Sequence, residues 1–287
     1  MEGYNIKKGL IFVAAEKKAI RLCARDELDL EKTFECGQCF RWNADETGAY
    51  TGVAFGRAAR IWAEDGFIFI DAPEADKALW HNYFDLDMDY AKASERFCCG
   101  EYMEKCLEFG YGIRLLRQDR WEALCSFILS QCNNIPRIKK IIETLCRLFG
   151  DPIAYGDKTY YSFPDAETVA RLGEDDLAPL KCGYRAPYLL AAASAVADGS
   201  LSFSELDDMN YTEALKAVQI IRGVGEKVAN CFILFGMHNL AAFPVDVWMK
   251  RALDAHFPKA FDPETFGEYA GLAQQYIFYY ARSGENP

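Results

Sequence analysis

Apolar and polar positions alternate in short runs over the first 75 residues of the chain. Apolar runs lie at 10–13, 49–55, 59–62 and 67–70, and turn-forming residues such as Gly56 and Gly66 separate the later ones. This alternation, interrupted by turns, is typical of antiparallel strands. We therefore predict a small antiparallel sheet at the start of the chain.

From Asp76 onward the apolar residues recur at helical spacing instead. Long amphipathic segments span 121–129 and 137–148, and glycine or proline separates the predicted helices, for example at 150–152 and 257–258. We predict an α+β fold with a β-rich domain at 1–110 and a helical body at 111–287.

Two glycines, Gly223 and Gly225, separate two helical patterns near the end of the chain and predict a helix-hairpin-helix. Glycine allows positive φ and close approach of another backbone, and the second helix begins with free N–H groups suited to a phosphate. Lys227 lies in the first turn of that helix. The helix dipole and partial burial should disfavour its ammonium form, which favours nucleophilic chemistry.

Asp246 follows Lys227 after 19 positions, a distance that suits one short helix, a turn and the start of the next helix. The two residues form a candidate catalytic pair. Each also has an ordinary alternative: a lysine in a first helical turn is usually solvated, and an aspartate before a helix is a common N-cap.

The hairpin, the lysine and the aspartate resemble the base-excision DNA glycosylase superfamily. Further segments are similar to the 8-oxoguanine DNA glycosylase/AP lyase family within it, in order from about residue 28 to about residue 280. These segments are 36–42, which resembles the base-reading loop, 112–119 and 126–138, which resemble the first helical segments, 183–186 and 269–278.

The resemblance implies a bifunctional enzyme that flips 8-oxoguanine out of duplex DNA, excises it through a lysine Schiff base and cleaves the strand by β-elimination. Lys227 would attack C1′ of the sugar, and Asp246 would stabilise the positive charge that develops there. Trp248 departs from relatives that often place a histidine near the phosphate.

The same resemblance implies a set of base-reading residues. The Gly37 carbonyl would accept a hydrogen bond from N7 of the oxidised base, and Gln274 would read its Watson–Crick edge. Phe278 and Cys231 would cover the two faces of the base. Helix core is the alternative role for Phe278 and Cys231.

Five more residues match those that contact the DNA around the extruded base. Tyr184 would fill the opened gap, with Arg185 beside it to read the partner base, although a surface turn with an arginine lying along it is the alternative. Cys132 stands where the family has the first of three asparagines, which predicts a weaker preference for cytosine opposite the lesion. The five are Asn133, Asn134, Arg137, Tyr184 and Arg185.

The net charge of −11 argues against a nonspecific nucleic-acid binder, since such affinity comes largely from broad phosphate neutralisation. The implied partner is double-stranded DNA containing oxidised guanine, bound by a monomer through a local basic face. No apolar run of about 18 residues and no signal pattern occur. We therefore expect a soluble protein without membrane contact, cytoplasmic in a bacterium or nuclear in a eukaryote.

No cofactor or metal is expected. No cysteine follows Cys231, so the iron–sulfur cluster of endonuclease III-type relatives cannot be built, and no His/Cys group has zinc spacing. A structural cation at the hairpin carbonyls is compatible with the pattern. The eleven cysteines suit reduced thiols.

Three alternative functions differ in what they require. A monofunctional alkyl-base glycosylase needs the aspartate but no lysine at the hairpin. A non-catalytic hairpin binder has no use for Asp246, Gly37 or Phe278. A thiol oxidoreductase would use Cys36 and Cys39, which have C-x-x-C spacing but lie outside a strand-to-helix start.

Overall fold

The N-terminal part of the protein is a sheet, seen in a computed structural model that describes residues 18–97 and 100–284. Its strands are β1 (Lys18–Ala24), β2 (Asn43–Ala44), β3 (Tyr50–Ala54), β4 (Arg57–Glu64) and β5 (Phe67–Ala72). They pair antiparallel in the order β1-β5-β4-β3-β2. The predicted sheet is confirmed; the run at 10–13 lies outside the described residues.

Two tight turns build the central hairpins of this sheet. Phe55 and Gly56 link β3 to β4, Asp65 and Gly66 link β4 to β5, and all four have positive φ. Two consecutive residues of this kind form a type I′ turn, whose twist matches that of the strands. Along β5 every second side chain is buried, so the alternation in the sequence decides which face packs inward.

Helices make up most of the rest, as predicted, and none of those described is long and apolar enough to cross a membrane. A short hairpin, β6 (Pro152–Tyr155) and β7 (Lys158–Tyr161), interrupts them. The helices are α1 (Leu30–Glu35), α2 (Lys77–Tyr83), α3 (Tyr90–Ser94), α4 (Glu101–Gly110), α5 (Arg120–Ser130), α6 (Ile135–Phe149), α7 (Ala166–Ala170), α8 (Glu174–Leu177), α9 (Ala186–Ala197), α10 (Phe203–Asp207), α11 (Tyr211–Val218), α12 (Glu226–Phe235), α13 (Val247–His256) and α14 (Ala270–Tyr279).

Two hydrophobic cores fill the described part of the molecule, and they do not divide at the predicted boundary, residue 110, since the helical core includes Cys36 and the core under the sheet includes Leu116. The first core lies under the sheet and includes Trp42 and Phe84. The second fills the helical body and already includes Met103 of α4. A Cβ on Gly110 would lie 2.4 Å from Cδ1 of Tyr276, so α4 packs closely on α14. α3 and α4 therefore belong to the helical body, because they bury their apolar side chains there.

The segment 113–119 is not helical, although its resemblance to a helical segment predicted a helix. The Arg114 guanidinium donates to the carbonyls of Glu27 (2.8 Å) and Asp85 (2.6 Å). The Leu116 N–H donates to Oε1 of Gln38 (2.9 Å). These bonds join the segment to the N-terminal domain, and a helix would use its N–H groups internally instead.

Candidate active site

The glycine hairpin joins α11 to α12, so the predicted helix-hairpin-helix is confirmed. Gly223 has φ +86°, and a Cβ there would lie 2.1 Å from Cγ of Tyr188 on α9. Gly225 N-caps α12 with φ −86°, and nothing lies within 4 Å of a Cβ built on it. The fold therefore requires Gly223, whereas Gly225 leaves open space before the free N–H groups of α12.

Alanine at these two glycines should have different effects. Gly223→Ala should lower the free energy of unfolding by about 2–4 kcal/mol, because the new methyl group combines a left-handed backbone with a steric overlap. Gly225→Ala should change it by less than about 1 kcal/mol but weaken duplex binding, because the methyl group occupies the open approach to α12. Denaturant unfolding and fluorescence anisotropy measure both effects. Equal stability of the two variants would contradict the assignment.

Lys227 is the second residue of α12, in the first turn as predicted, and it is half-buried. Its Nζ lies 5.9 Å from the ring centroid of Phe127 on α5. Burial raises the pKa of the Cys231 thiol one turn later, and the charge and hydrogen bond of Lys227 oppose that increase. The side chain therefore lies against an aromatic ring and a thiol, and it is not freely solvated.

Asp246 is the N-cap of α13, as predicted. Its Oδ1 accepts a hydrogen bond from the N–H of Met249 at 2.9 Å. Asp246 also lines the same pocket as Lys227. The capping bond thus orients a carboxylate at the pocket, and the structural and catalytic interpretations of this residue are compatible.

One pocket collects the residues predicted for catalysis and base recognition. Its cavity volume is about 40 Å³, within about 330 Å³ of space that includes open solvent. The loop after α1 supplies one wall, α12 and the start of α13 supply the second, and α14 supplies the third. The predicted residues that line it are Gly37, Lys227, Cys231, Asp246, Gln274 and Phe278.

Gln274 has an unpaired acceptor in this pocket. The residue is 4% exposed, and its Oε1 has no hydrogen-bond partner among the described residues. A buried polar atom without a partner costs about 1–3 kcal/mol. This oxygen is therefore an acceptor without a partner, in a residue that lines the pocket.

Gly37 makes a close approach to the aromatic wall of the pocket. Its φ is +87°, and a Cβ there would lie 3.4 Å from Cε1 of Phe278 and 3.2 Å from Nη1 of Arg282. The guanidinium carbon of Arg282 lies 5.4 Å from the Phe278 ring centroid. Glycine is needed here because other residues rarely adopt this conformation, and because the neighbouring side chains leave little room.

The predicted opposite-base residues lie where α5 ends and α6 begins. Asn134 caps α6 by accepting the N–H of Arg137 (3.0 Å), and Nδ2 of Asn133 donates to the Leu129 carbonyl (3.1 Å). Arg137 is exposed and donates to the Lys181 carbonyl at 3.1 Å. The structure therefore brings these residues close to the turn at 183–185, while their contacts with DNA stay a prediction.

Tyr184 and Arg185 lie on that turn with different exposure. Tyr184 is 51% exposed, and its hydroxyl donates to the Gln131 carbonyl at 3.3 Å. Arg185 is 3% exposed and donates to the carbonyls of Gln131 (2.8 Å), Cys132 (3.0 Å) and Cys182 (3.1 Å). The alternative of an arginine that lies along the surface is therefore wrong, because the guanidinium is buried and its hydrogen bonds support the turn. Its contact with a partner base stays a prediction.

The C-x-x-C pair is unsuited to redox chemistry. Cys36 is 0% exposed and Cys39 is 5% exposed. Burial raises the pKa of the Cys36 thiol to about 12 and raises the pKa of Cys39 well above its usual value. Thiol–disulfide exchange needs an accessible thiolate, so the oxidoreductase alternative is wrong. Within 18–97 and 100–284, no three His, Cys, Asp or Glu side chains are grouped to hold a metal ion.

Trp248 has a positive charge beside it. The guanidinium carbon of Arg251, about one turn later on α13, lies 5.5 Å from the Trp248 ring centroid, and Arg251 is exposed. A cation over an aromatic face is a favourable contact. The arginine thus places a cation beside Trp248 on the exposed side of α13.

Four pocket residues were not predicted. Phe127 and Phe235 stack with ring centroids 5.1 Å apart. In the sequence their positions look like ordinary helix core, so no local signal separates them. Gln275 could have been identified from the sequence, because two adjacent amides are unusual in the otherwise apolar helix α14. The four are Phe127, Phe235, Pro244 and Gln275.

Known proteins match this chain over most of its length. The model of the 8-oxoguanine DNA glycosylase N-terminal domain matches residues 21–124, and that of the HhH-GPD superfamily of base excision DNA repair proteins matches residues 125–264. The N-glycosylase/DNA lyase of Saccharomyces cerevisiae is 32% identical over 79% of this chain and 68% of its own length.

Two solved structures share both fold and sequence with the chain. MBOgg1 in complex with a low affinity DNA ligand has a TM-score of 0.88 and 38% identity, covering 99% of this chain and 100% of that one. The Clostridium acetobutylicum 8-oxoguanine glycosylase/lyase, bound to double-stranded DNA with cytosine opposite 8-oxoguanine, has a TM-score of 0.85 and 35% identity, covering 91% and 93%.

The hairpin, the pocket and these matches define the class of the protein. It is a helix-hairpin-helix protein of the base-excision DNA repair superfamily. Within that class, the chain belongs to the 8-oxoguanine DNA glycosylase family.

Proposed function

We propose that this protein is a bifunctional DNA glycosylase/AP lyase that excises 8-oxoguanine from duplex DNA. One observation carries the proposal: an amine, a carboxylate, an amide and an aromatic ring line the same pocket as the base-reading glycine. The yeast and clostridial relatives are named for both glycosylase and lyase activities.

The proposed substrate follows from the hydrogen-bonding groups of the pocket. Oxidation converts N7 of guanine from an acceptor into an N–H donor, and the Gly37 carbonyl can accept a hydrogen bond from it. Guanine would place an acceptor against that carbonyl, at a cost of about 1–3 kcal/mol. The unpaired Oε1 of Gln274 supplies a second acceptor, suited to the N–H groups on the Watson–Crick edge. Phe278 packs on a face of the base.

The proposed chemistry uses Lys227 as the nucleophile. Its nitrogen lone pair forms a bond to C1′ while the base leaves with the electron pair of the glycosidic bond and takes up a proton. The C1′–O4′ bond then breaks and opens the sugar ring; O4′ takes up a proton and the nitrogen loses one, which gives an imine. Loss of a C2′ proton and of the 3′ phosphate then cleaves the strand. The Asp246 carboxylate stabilises the positive charge on the sugar, and the reaction needs no cofactor.

The glycosidic carbon is inaccessible in stacked duplex DNA, so the nucleotide must be extruded. We propose that Tyr184 fills the gap, since it is a flat side chain left 51% exposed at a turn. Basic side chains that are exposed in the structure would bind the phosphates despite the overall negative charge. They are Arg137, Lys140, Lys181, Arg222, Lys250 and Arg251.

Borohydride reduction on a duplex with one 8-oxoguanine tests this function. Reduction of an imine would link protein and DNA covalently, so an adduct on denaturing gels supports the proposal. Base release without an adduct would favour the monofunctional alternative. Binding without base release would favour the non-catalytic one.

Cys132 should weaken the preference for cytosine opposite the lesion. It is exposed and has φ +47°, a conformation that asparagine tolerates well. Cys132→Asn should raise the preference for cytosine about fivefold, the effect of one hydrogen bond of about 1 kcal/mol. Excision rates with each of the four partner bases measure it. A strong cytosine preference in the wild-type protein would contradict the expectation.

A further inference from the structure

The base-reading loop is held on both sides of Gly37 by glutamine amides. Nε2 of Gln275 donates to the carbonyl of Cys36 at 3.0 Å, across 239 positions of sequence. Nε2 of Gln118 donates to the carbonyl of Gln38 at 2.8 Å. Gln275 is 1% exposed, so its bond forms away from competing water.

The Gly37 carbonyl lies between these two and receives no hydrogen bond from any described residue. Peptide units are planar, so bonds that hold the neighbouring carbonyls also restrict the orientation of the middle one. A glycine at φ +87° has no side chain to restrict it further. The orientation of the base-reading carbonyl therefore depends on its neighbours' hydrogen bonds.

We propose that Gln275 is a positioning residue for lesion specificity, whose amide holds the Cys36 carbonyl so that the Gly37 carbonyl meets N7–H of the oxidised base. The inference rests on the proposed function. The two adjacent amides of α14 then have separate roles. Gln274 keeps an unpaired oxygen for the base, and Gln275 uses its N–H to hold the loop.

A buried glutamine could also act through packing alone, and two variants separate these roles. Gln275→Met has nearly the same length but no hydrogen-bond donor, and Gln275→Leu keeps apolar volume. Both should lower 8-oxoguanine release by about ten- to a hundredfold, as small misplacements of reacting groups do. Both should leave nicking at an abasic site within about twofold of wild type, because that site presents no base to Gly37.

A second measurement tests the hydrogen bond itself. Duplexes with 8-oxoguanine or with 8-oxo-7-deazaguanine differ at position 7, where the analogue carries C–H in place of N–H. The wild-type protein should bind the first more tightly, and the ratio of the two Kd values should fall toward one in both variants. An unchanged ratio would overturn the inference, and so would equal losses of base release and abasic-site nicking.

Tyr155→Phe is the matched control. It removes the 2.8 Å hydrogen bond from the Tyr155 hydroxyl to Asp71, outside the pocket. It should leave both the Kd ratio and abasic-site nicking unchanged; a shift of that ratio in this control would overturn the inference. A wild-type protein that releases no 8-oxoguanine would instead overturn the proposed function, and that result is visible before any variant is compared.

Discussion

Lys227→Gln is expected to abolish both the borohydride adduct and nicking at abasic sites. Glutamine keeps a polar side chain of similar reach on the first turn of α12, but its amide nitrogen has no available lone pair to attack C1′. We expect 8-oxoguanine release to fall on the order of a thousandfold, as the loss of a group that acts at the reacting carbon implies. Single-turnover kinetics and gel analysis after reduction measure these effects.

Duplex binding by a matched variant distinguishes the loss of the nucleophile from the loss of one positive charge. Lys216→Gln removes the same charge from an exposed position on α11, outside the pocket, and should retain the adduct. Both variants should bind the lesion duplex within about tenfold of wild type, since each removes at most one phosphate contact. An adduct that persists in Lys227→Gln would show that another amine is the nucleophile.

Asp246→Asn is expected to lower base release by about a hundred- to a thousandfold while duplex binding is retained. The carboxylate supplies charge where positive charge develops on the sugar, and a neutral amide cannot replace it. Asparagine is chosen because it caps helices about as well as aspartate, so the bond to the Met249 N–H can persist. Alanine would remove the N-cap, so a loss of stability could not be separated from a loss of catalysis. Single-turnover base release and duplex titration measure the two effects.

The control for this substitution is another N-cap. Asp165 caps α7 by accepting the N–H of Thr168 at 2.7 Å, and it lies outside the pocket. Asp165→Asn makes the same chemical change and should leave base release unaffected. If Asp246→Asn retains wild-type turnover, the assigned role of Asp246 is wrong.

The sequence by itself determined the elements whose causes are local. The hairpin, the first turn of α12 and the N-cap at Asp246 depend on residue types a few positions apart. The strands and tight turns of the sheet depend on alternation and on residues that allow positive φ. For that reason the chain alone predicts Lys227 and Asp246 as a candidate pair. The resemblance then added Gly37, Gln274 and Phe278.

Only the tertiary structure decided which distant residues meet. The bond from Gln275 to Cys36 spans 239 positions, and no local pattern marks either partner as its donor or acceptor. Long-range bonds and packing likewise decided the burial of Arg185, the non-helical segment 113–119 and the attachment of α4 to the helical body. Local preferences are worth tenths of a kcal/mol to about one per residue, so buried contacts between distant segments override them.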